Sequence, residues 1–142
     1  MVNTPSHVAT HPATSRSRAC VGMDTHDVSE TVDALTRFGM TYVLRFFSDE
    51  EARYVTRHPS RAAKYLAERF AAREAILKLL ELGDLLAHRR DIKVAGDGPR
   101  TDIILTGQCL ARAHDRGFSK IHLSLASTTH IAVAVAVADQ TR

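Results

Sequence analysis

The chain is poor in the features that would fix a special class. It has only two cysteines, Cys20 and Cys109, in 142 residues, with no metal-type spacing. That excludes a disulfide framework and fits a reducing compartment, hence a cytoplasmic protein. No apolar run reaches the length of a membrane span, and the run Ile131 to Ala138 is too short and suits a strand. Residues 1–19 carry two arginines and no acid, so the rest of the chain holds 17 basic against 16 acidic residues. The basic pI of about 9.1 therefore belongs partly to the tail, and no nucleic-acid footprint is read into it. The eight histidines contain no His-Glu-x-x-His arrangement, and no serine, histidine and aspartate grouping stands out.

What remains is the composition of an ordinary domain, 44% hydrophobic and 25% charged, and the length suffices for one core. Residues 1–18 read as a disordered Pro/Ser/Thr/His tail that lacks the apolar centre of a secretory signal, with targeting as the alternative, and residues 19–142 as one domain. A strand is expected from Ala19 to Met23, ending at Asp24. A helix follows from about Ser29 to Phe46, weakened at Gly39. Ser48-Asp-Glu-Glu51 is a capping box that starts a second helix, stopping near His58-Pro59. A long helix then runs from about Ser60 to Leu82, with Gly83 as its stop.

The second half changes period. Asp91 to Ala95 and Asp102 to Leu105 are strand-like, joined by the turn Gly96-Asp-Gly-Pro99. Thr106 caps a helix to about Asp115, closed by Gly117. Ile121 to Ala126 alternates in polarity, whereas Ile131 to Ala138 is apolar on both faces, as a central strand is. The order strand, helices, hairpin, helix, hairpin gives an α+β fold.

One helix carries a conflict. At about 100° per residue, Ala63, Leu66, Phe70 and Leu77 lie within about 40° of one line, and Glu74 falls inside that spread. An unpaired acid aimed at a core is costly, so a cation, a metal or a shared proton must meet it. Lys78, at i+4, is one ordinary partner. Asp24 offers another solution. If its strand packs on this face, two carboxylates converge and supply hard oxygen donors for magnesium with positions left for phosphate oxygens. Asp24 could equally cap the next turn. Arg61 and Arg69 are either solvated helix residues or anion binders.

Three blocks, in order, carry a resemblance: Val21-Gly-Met-Asp24, Arg45-Phe-Phe-Ser-Asp-Glu-Glu51 and Tyr65-Leu-Ala-Glu-Arg-Phe-Ala-Ala-Arg-Glu-Ala-Ile-Leu-Lys78. The ending Ile121-His-Leu-Ser-Leu-Ala126 through His130-Ile-Ala132 adds to it. The chain resembles the stand-alone holo-[acyl-carrier-protein] synthases, a 4′-phosphopantetheinyl transferase family, from about Ala19 to Ala138. The resemblance implies an antiparallel sheet with a long packed helix, assembled as a homotrimer with sites at subunit interfaces. It implies transfer of the phosphopantetheine arm of coenzyme A to a serine of an apo acyl carrier protein. Asp24 and Glu74 match the family's magnesium ligands, and the ion would bind the coenzyme A diphosphate and help deprotonate the serine. Lys78 matches the lysine that stabilises charge on the diphosphate. Arg61 and Arg69 match positions that hold the nucleotide end, and Gly83 is the glycine left of a Gly-x-Gly turn that approaches coenzyme A.

Some positions depart from the pattern. Glu30 stands where the family has an arginine that meets the acidic carrier. Glu81 replaces the first glycine of the Gly-x-Gly turn, Arg73 replaces a lysine, and Ala126-Ser127 stands for the commoner Ser-His. Glu30 and Glu81 motivate an alternative: a repurposed trimer that binds or converts a different small ligand in the interface cleft.

Overall fold

In the computed structural model, which describes residues 17–96 and 101–141, the chain opens with strand β1 (Arg18–Asp27) and continues through helices α1 (Val28–Phe38), α2 (Met40–Phe46), α3 (Asp49–Arg57) and α4 (Ala62–Leu80). A short helix α5 (Leu85–His88) leads to the hairpin β2 (Ile92–Ala95) and β3 (Asp102–Leu105). Helix α6 (Gly107–Asp115) and the hairpin β4 (Phe118–Ser127) and β5 (Ile131–Gln140) complete the order. The strands form a three-stranded antiparallel sheet, ordered β1-β5-β4, and a two-stranded one, β2-β3. The central strand expected at Ile131 to Ala138 is indeed in the middle. Among the described residues no helix is long and apolar enough to cross a membrane. The tail lies outside the described residues as far as residue 16, and so does most of the Gly96–Pro99 turn.

Alternation in β5 decides how the layers meet. Ala132, Ala134, Ala136 and Ala138 point to one face and are fully buried, while Val133, Val135 and Val137 occupy the other. Helix α4 lies on the alanine face with its own small residues Ala67, Ala71 and Ala75. Small residues on both partners let the helix axis approach the sheet closely, and close packing adds dispersion contacts on both sides. Gly22 of β1 marks the tightest point. A Cβ there would lie 2.1 Å from the Ala75 carbonyl oxygen and 2.6 Å from the Leu79 nitrogen.

Helix α4 is buried around most of its circumference. One side meets the sheet, and another places Leu66 in a second cluster with Val43, Phe47, Ala52 and Val55. Single-sided stripe reasoning therefore describes it only in part. A buried ion pair ties α3 to α4: the Arg73 guanidinium donates to the Glu51 carboxylate at 2.5 Å, and its Nε donates to the Ile92 carbonyl at 3.3 Å. The same Glu51 closes the capping box with Ser48, as its spacing predicts.

Local differences from the sequence expectation have physical causes. The helix expected from Ser29 to Phe46 is two helices, because Gly39 adopts φ +55° and breaks the ladder. Strand β1 runs on to Asp27, so Asp24 lies within it and does not end it. Helix α4 starts after a 3₁₀ turn at Pro59–Arg61 and stops at Leu80, before Gly83. Its left-handed cap is Glu81, at φ +56°, a position that usually takes glycine. That conformation costs about 1 kcal/mol or somewhat more. Glu81 offsets it by pairing with Arg116 at 3.0 Å and Arg112 at 3.8 Å, while the same arginines donate to the Leu79 and Leu80 carbonyls that the helix end leaves open.

Candidate active site

Strand alternation and helical spacing together build the site. Cys20, Gly22, Asp24 and His26 alternate on the β1 face that meets α4. On α4, Phe70, Glu74 and Lys78 follow one another at one-turn intervals and are less buried than their neighbours. The close approach at Gly22 brings these two rows side by side. Asp24 thereby reaches Lys78, whose Nζ donates to Asp24 Oδ1 at 2.7 Å and to the Met23 carbonyl at 3.2 Å. The i+4 partner of Glu74 is thus paired across to β1.

The electrostatics follow from this geometry. Burial pushes the Glu74 carboxyl above the usual carboxylate range. The negative charge of Asp24 adds to that shift, and the Lys78 cation opposes it. The hydrogen bond to Asp24 raises Lys78, which keeps it cationic. Two carboxylates that repel each other, with one lysine at their rim, form an anionic donor set with an adjacent cation. Such a set accepts a hard divalent ion through oxygen and leaves the ammonium for an anionic ligand.

His26 continues the row. Its ring packs on Phe70 with centroids 4.4 Å apart, and its Nε2 lies 3.1 Å from the Thr31 hydroxyl. Its Nδ1 lies 3.8 Å from Glu30, which is well exposed on α1. The sequence reading did not single out His26 as a site residue. Strand alternation from Asp24 was the signal that places it on the same face. Ser127, at the end of β4, donates its hydroxyl to Glu68 on α4.

The other expected residues take different places. Arg61 is exposed at the start of α4. Arg69 is only 2% exposed: its guanidinium lies 4.7 Å over the Tyr65 ring and donates to the Gly96 carbonyl. It holds the chain where β2 ends. Around Gly83 the space for a Cβ is open. Glu81 directs its carboxylate to Arg112 of α6 and Arg116 just beyond it, so its charge is engaged within the chain.

Comparison with known proteins places the chain in a family. The description "4'-phosphopantetheinyl transferase superfamily" matches residues 20–136. A holo-[acyl-carrier-protein] synthase of Paramagnetospirillum magneticum is 35% identical over 125 residues, covering 84% of this chain and 94% of that protein. One from Treponema denticola is 40% identical over 94 residues, covering 66% of this chain and 76% of the relative. Among solved structures, the ACPS–CoA complex of Chronobacterium ammoniagenes superposes with a TM-score of 0.74 at 24% identity, covering 88% of this chain and 99% of that one. With its fold matched and residues 20–136 accounted for, the chain belongs to the 4′-phosphopantetheinyl transferase superfamily.

Proposed function

We propose that the chain transfers the 4′-phosphopantetheine arm of coenzyme A to a serine of an apo acyl carrier protein, releasing adenosine 3′,5′-bisphosphate. The observation that carries this reading is the meeting of Asp24 on β1 with Glu74 and Lys78 on α4. The sequence relatives named above are holo-[acyl-carrier-protein] synthases, and the superposed Chronobacterium ammoniagenes chain is a complex with CoA.

Each residue then has a task. Asp24 and Glu74 would hold magnesium: both are oxygen donors, and a bound cation would favour the charged form of Glu74 that burial and, secondly, the Asp24 charge disfavour. Bound magnesium would supply charge neutralisation at the diphosphate that is cleaved. Lys78 is exposed and stays charged, so its ammonium can turn to the diphosphate and stabilise negative charge that grows on the leaving side. Arg61 binds the nucleotide end from the start of α4. Arg69 serves the same end indirectly, fixing the Gly96 carbonyl from below. Open space at Gly83 lets coenzyme A pass close to the backbone.

The working unit in this reading is a homotrimer in the cytoplasm. The outer face of the three-stranded sheet supports the assembly. Val21 and Met23 are 61% and 57% exposed, beside the half-buried Val133, Val135 and Val137. An apolar stripe of this kind is a surface for a partner. Both cysteines are free thiols, as a reducing cytoplasm keeps them.

The test mixes the protein with coenzyme A, magnesium and several apo carrier proteins and follows carrier mass. At least one carrier should gain the phosphopantetheine mass, and Asp24→Ala and Glu74→Ala should abolish the gain. No transfer to any carrier, together with no binding of coenzyme A, would overturn the reading. Light scattering of the same preparation should give three chains per particle.

A further inference from the structure

The fold gathers a second set of ligating side chains on elements that carry none of Asp24, Glu74 and Lys78. His88 ends α5, Asp91 lies in the turn before β2, and Cys109 sits in the first turn of α6. One donor atom from each lies within 4.8 Å of the other two. Sequence spacing gave no hint of this, since Cys109 is far along the chain from the other two.

Three observations make this more than a chance grouping. First, His88 is only 9% exposed, and its Nδ1 is buried without a hydrogen-bond partner. It lies 3.9 Å from Asp91 Oδ2, beyond hydrogen-bond reach. A buried polar atom of this kind is costly unless something meets it. Second, the Asp91 carboxylate is fixed in place. Oδ2 accepts the Gln108 backbone N–H at 3.1 Å, and Gly107, at φ +53°, leaves the room it needs: a Cβ there would lie 2.5 Å from Asp91 Oδ1. A carboxylate retains further lone pairs after one such bond. Third, Cys109 is fully buried and paired with no other cysteine.

We propose that His88, Asp91 and Cys109 form a binding site for one divalent transition cation of the zinc type. Nitrogen, oxygen and sulfur donors in one set suit zinc and its neighbours and not magnesium. Three protein ligands leave a fourth position, which solvent reaches on the side of Asp91, 24% exposed at its side chain. Tetrahedral bonds of about 2.0–2.3 Å place donor atoms roughly 3.3–3.8 Å apart. The grouping therefore needs a closure of about 1 Å, which side-chain rotation supplies. On binding, the Cys109 thiol gives its proton to solvent and the thiolate ligates; the imidazole binds neutral. The bound ion would tie α5, the turn before β2 and the start of α6 together. This site is independent of the transferase reading.

The experiment titrates the metal-free full-length chain with Co²⁺, a spectroscopic stand-in for Zn²⁺. One thiolate-to-cobalt charge-transfer chromophore per chain should form and should disappear when Zn²⁺ is added. Cys109→Ser should remove the band, while Cys20→Ser and the double variant Asp24→Ala/Glu74→Ala should keep it. His88→Gln should weaken cobalt binding at least tenfold. Asp91→Asn is the second variant: asparagine can still accept the Gln108 N–H, so the helix start is preserved while the charged ligand is lost, and binding should again weaken at least tenfold. The absence of a band in the unmutated chain overturns the proposal. So does a band that survives Cys109→Ser, one that vanishes in Cys20→Ser, or unchanged affinity in folded Asp91→Asn.

Discussion

Gly22→Ala adds one methyl group at the point where β1 meets α4. The new Cβ would stand 2.1 Å from the Ala75 carbonyl oxygen and 2.6 Å from the Leu79 nitrogen. Both are backbone atoms of α4, so neither can swing aside as a side-chain tip would. Ordinary contact begins at 3.4 Å, so strand and helix must separate by roughly 1 Å. The strand cannot yield alone, because Gly22 pairs with Ala136 inside a ladder that runs from Arg18 to Asp27. Overpacking of this kind costs about 1–3 kcal/mol. Asp24 lies two residues further on the same face, so the separation also draws it from Lys78 and Glu74. A misplacement of about 1 Å in a catalytic constellation costs on the order of 10²-fold in rate. Urea unfolding should report the first loss, and initial rates of phosphopantetheine transfer at saturating coenzyme A the second. A urea midpoint and a transfer rate both within error of the parent would refute the packing argument. Lost stability with unchanged transfer would show that this contact does not set the position of Asp24.

Two further expectations concern the buried charges. Glu51→Ala should lower stability by about 3–5 kcal/mol, since it strands the buried Arg73 guanidinium and opens the capping box. Replacing both partners, Glu51→Leu with Arg73→Met, should recover much of that loss in the same urea experiment; a single variant as stable as the parent would contradict the pairing. Glu74 is raised above its ordinary 4.5, so the folded chain holds this proton more tightly than the unfolded chain. Stability attributable to Glu74 therefore falls as pH rises from about 4.5 through the folded value. In chelator, Glu74→Gln should be more stable than the parent at neutral pH, with the difference closing as pH falls below 4.5. Magnesium should reverse the order by stabilising the parent alone; thermal melts across pH with and without the ion would decide it.

The lesson for reading such a chain lies in particular elements. Periodicity and chemistry were enough for β5, whose apolar residues on both faces require a central strand. They were enough for the Ser48–Glu51 capping box, whose two hydrogen bonds are local. They also raised the right question about Glu74, because an acid among apolar helix positions must be met by something. Other features were not legible. Gly39 was visible as a weak point, yet whether it merely weakens or breaks a helix depends on what α1 and α2 each pack against. Glu81 takes the left-handed cap where Arg112 of α6 and Arg116 just beyond it reach its carboxylate. Arg69 was open between a solvated residue and an anion binder, but α4 is enclosed on several sides, so it turns inward to Tyr65 and Gly96.

By itself, then, the sequence determined the main succession of elements, apart from the break at Gly39 and the short α5, together with the face of β1 that carries Asp24 and the face of α4 that carries Glu74 and Lys78, since each face follows from a backbone repeat of two or 3.6 residues. Only the tertiary structure decided that those two faces meet. That depends on the Gly22 contact and the alanine face of β5, which let helix and sheet come close. It decided as well that Lys78 answers Asp24, that Arg73 answers Glu51, and that donor atoms of His88, Asp91 and Cys109 come within 4.8 Å of one another. Local repeats fix where a side chain points along its own element. Which charge or ligand it meets is set by contacts between residues far apart in the chain, and those exist only once the layers have packed.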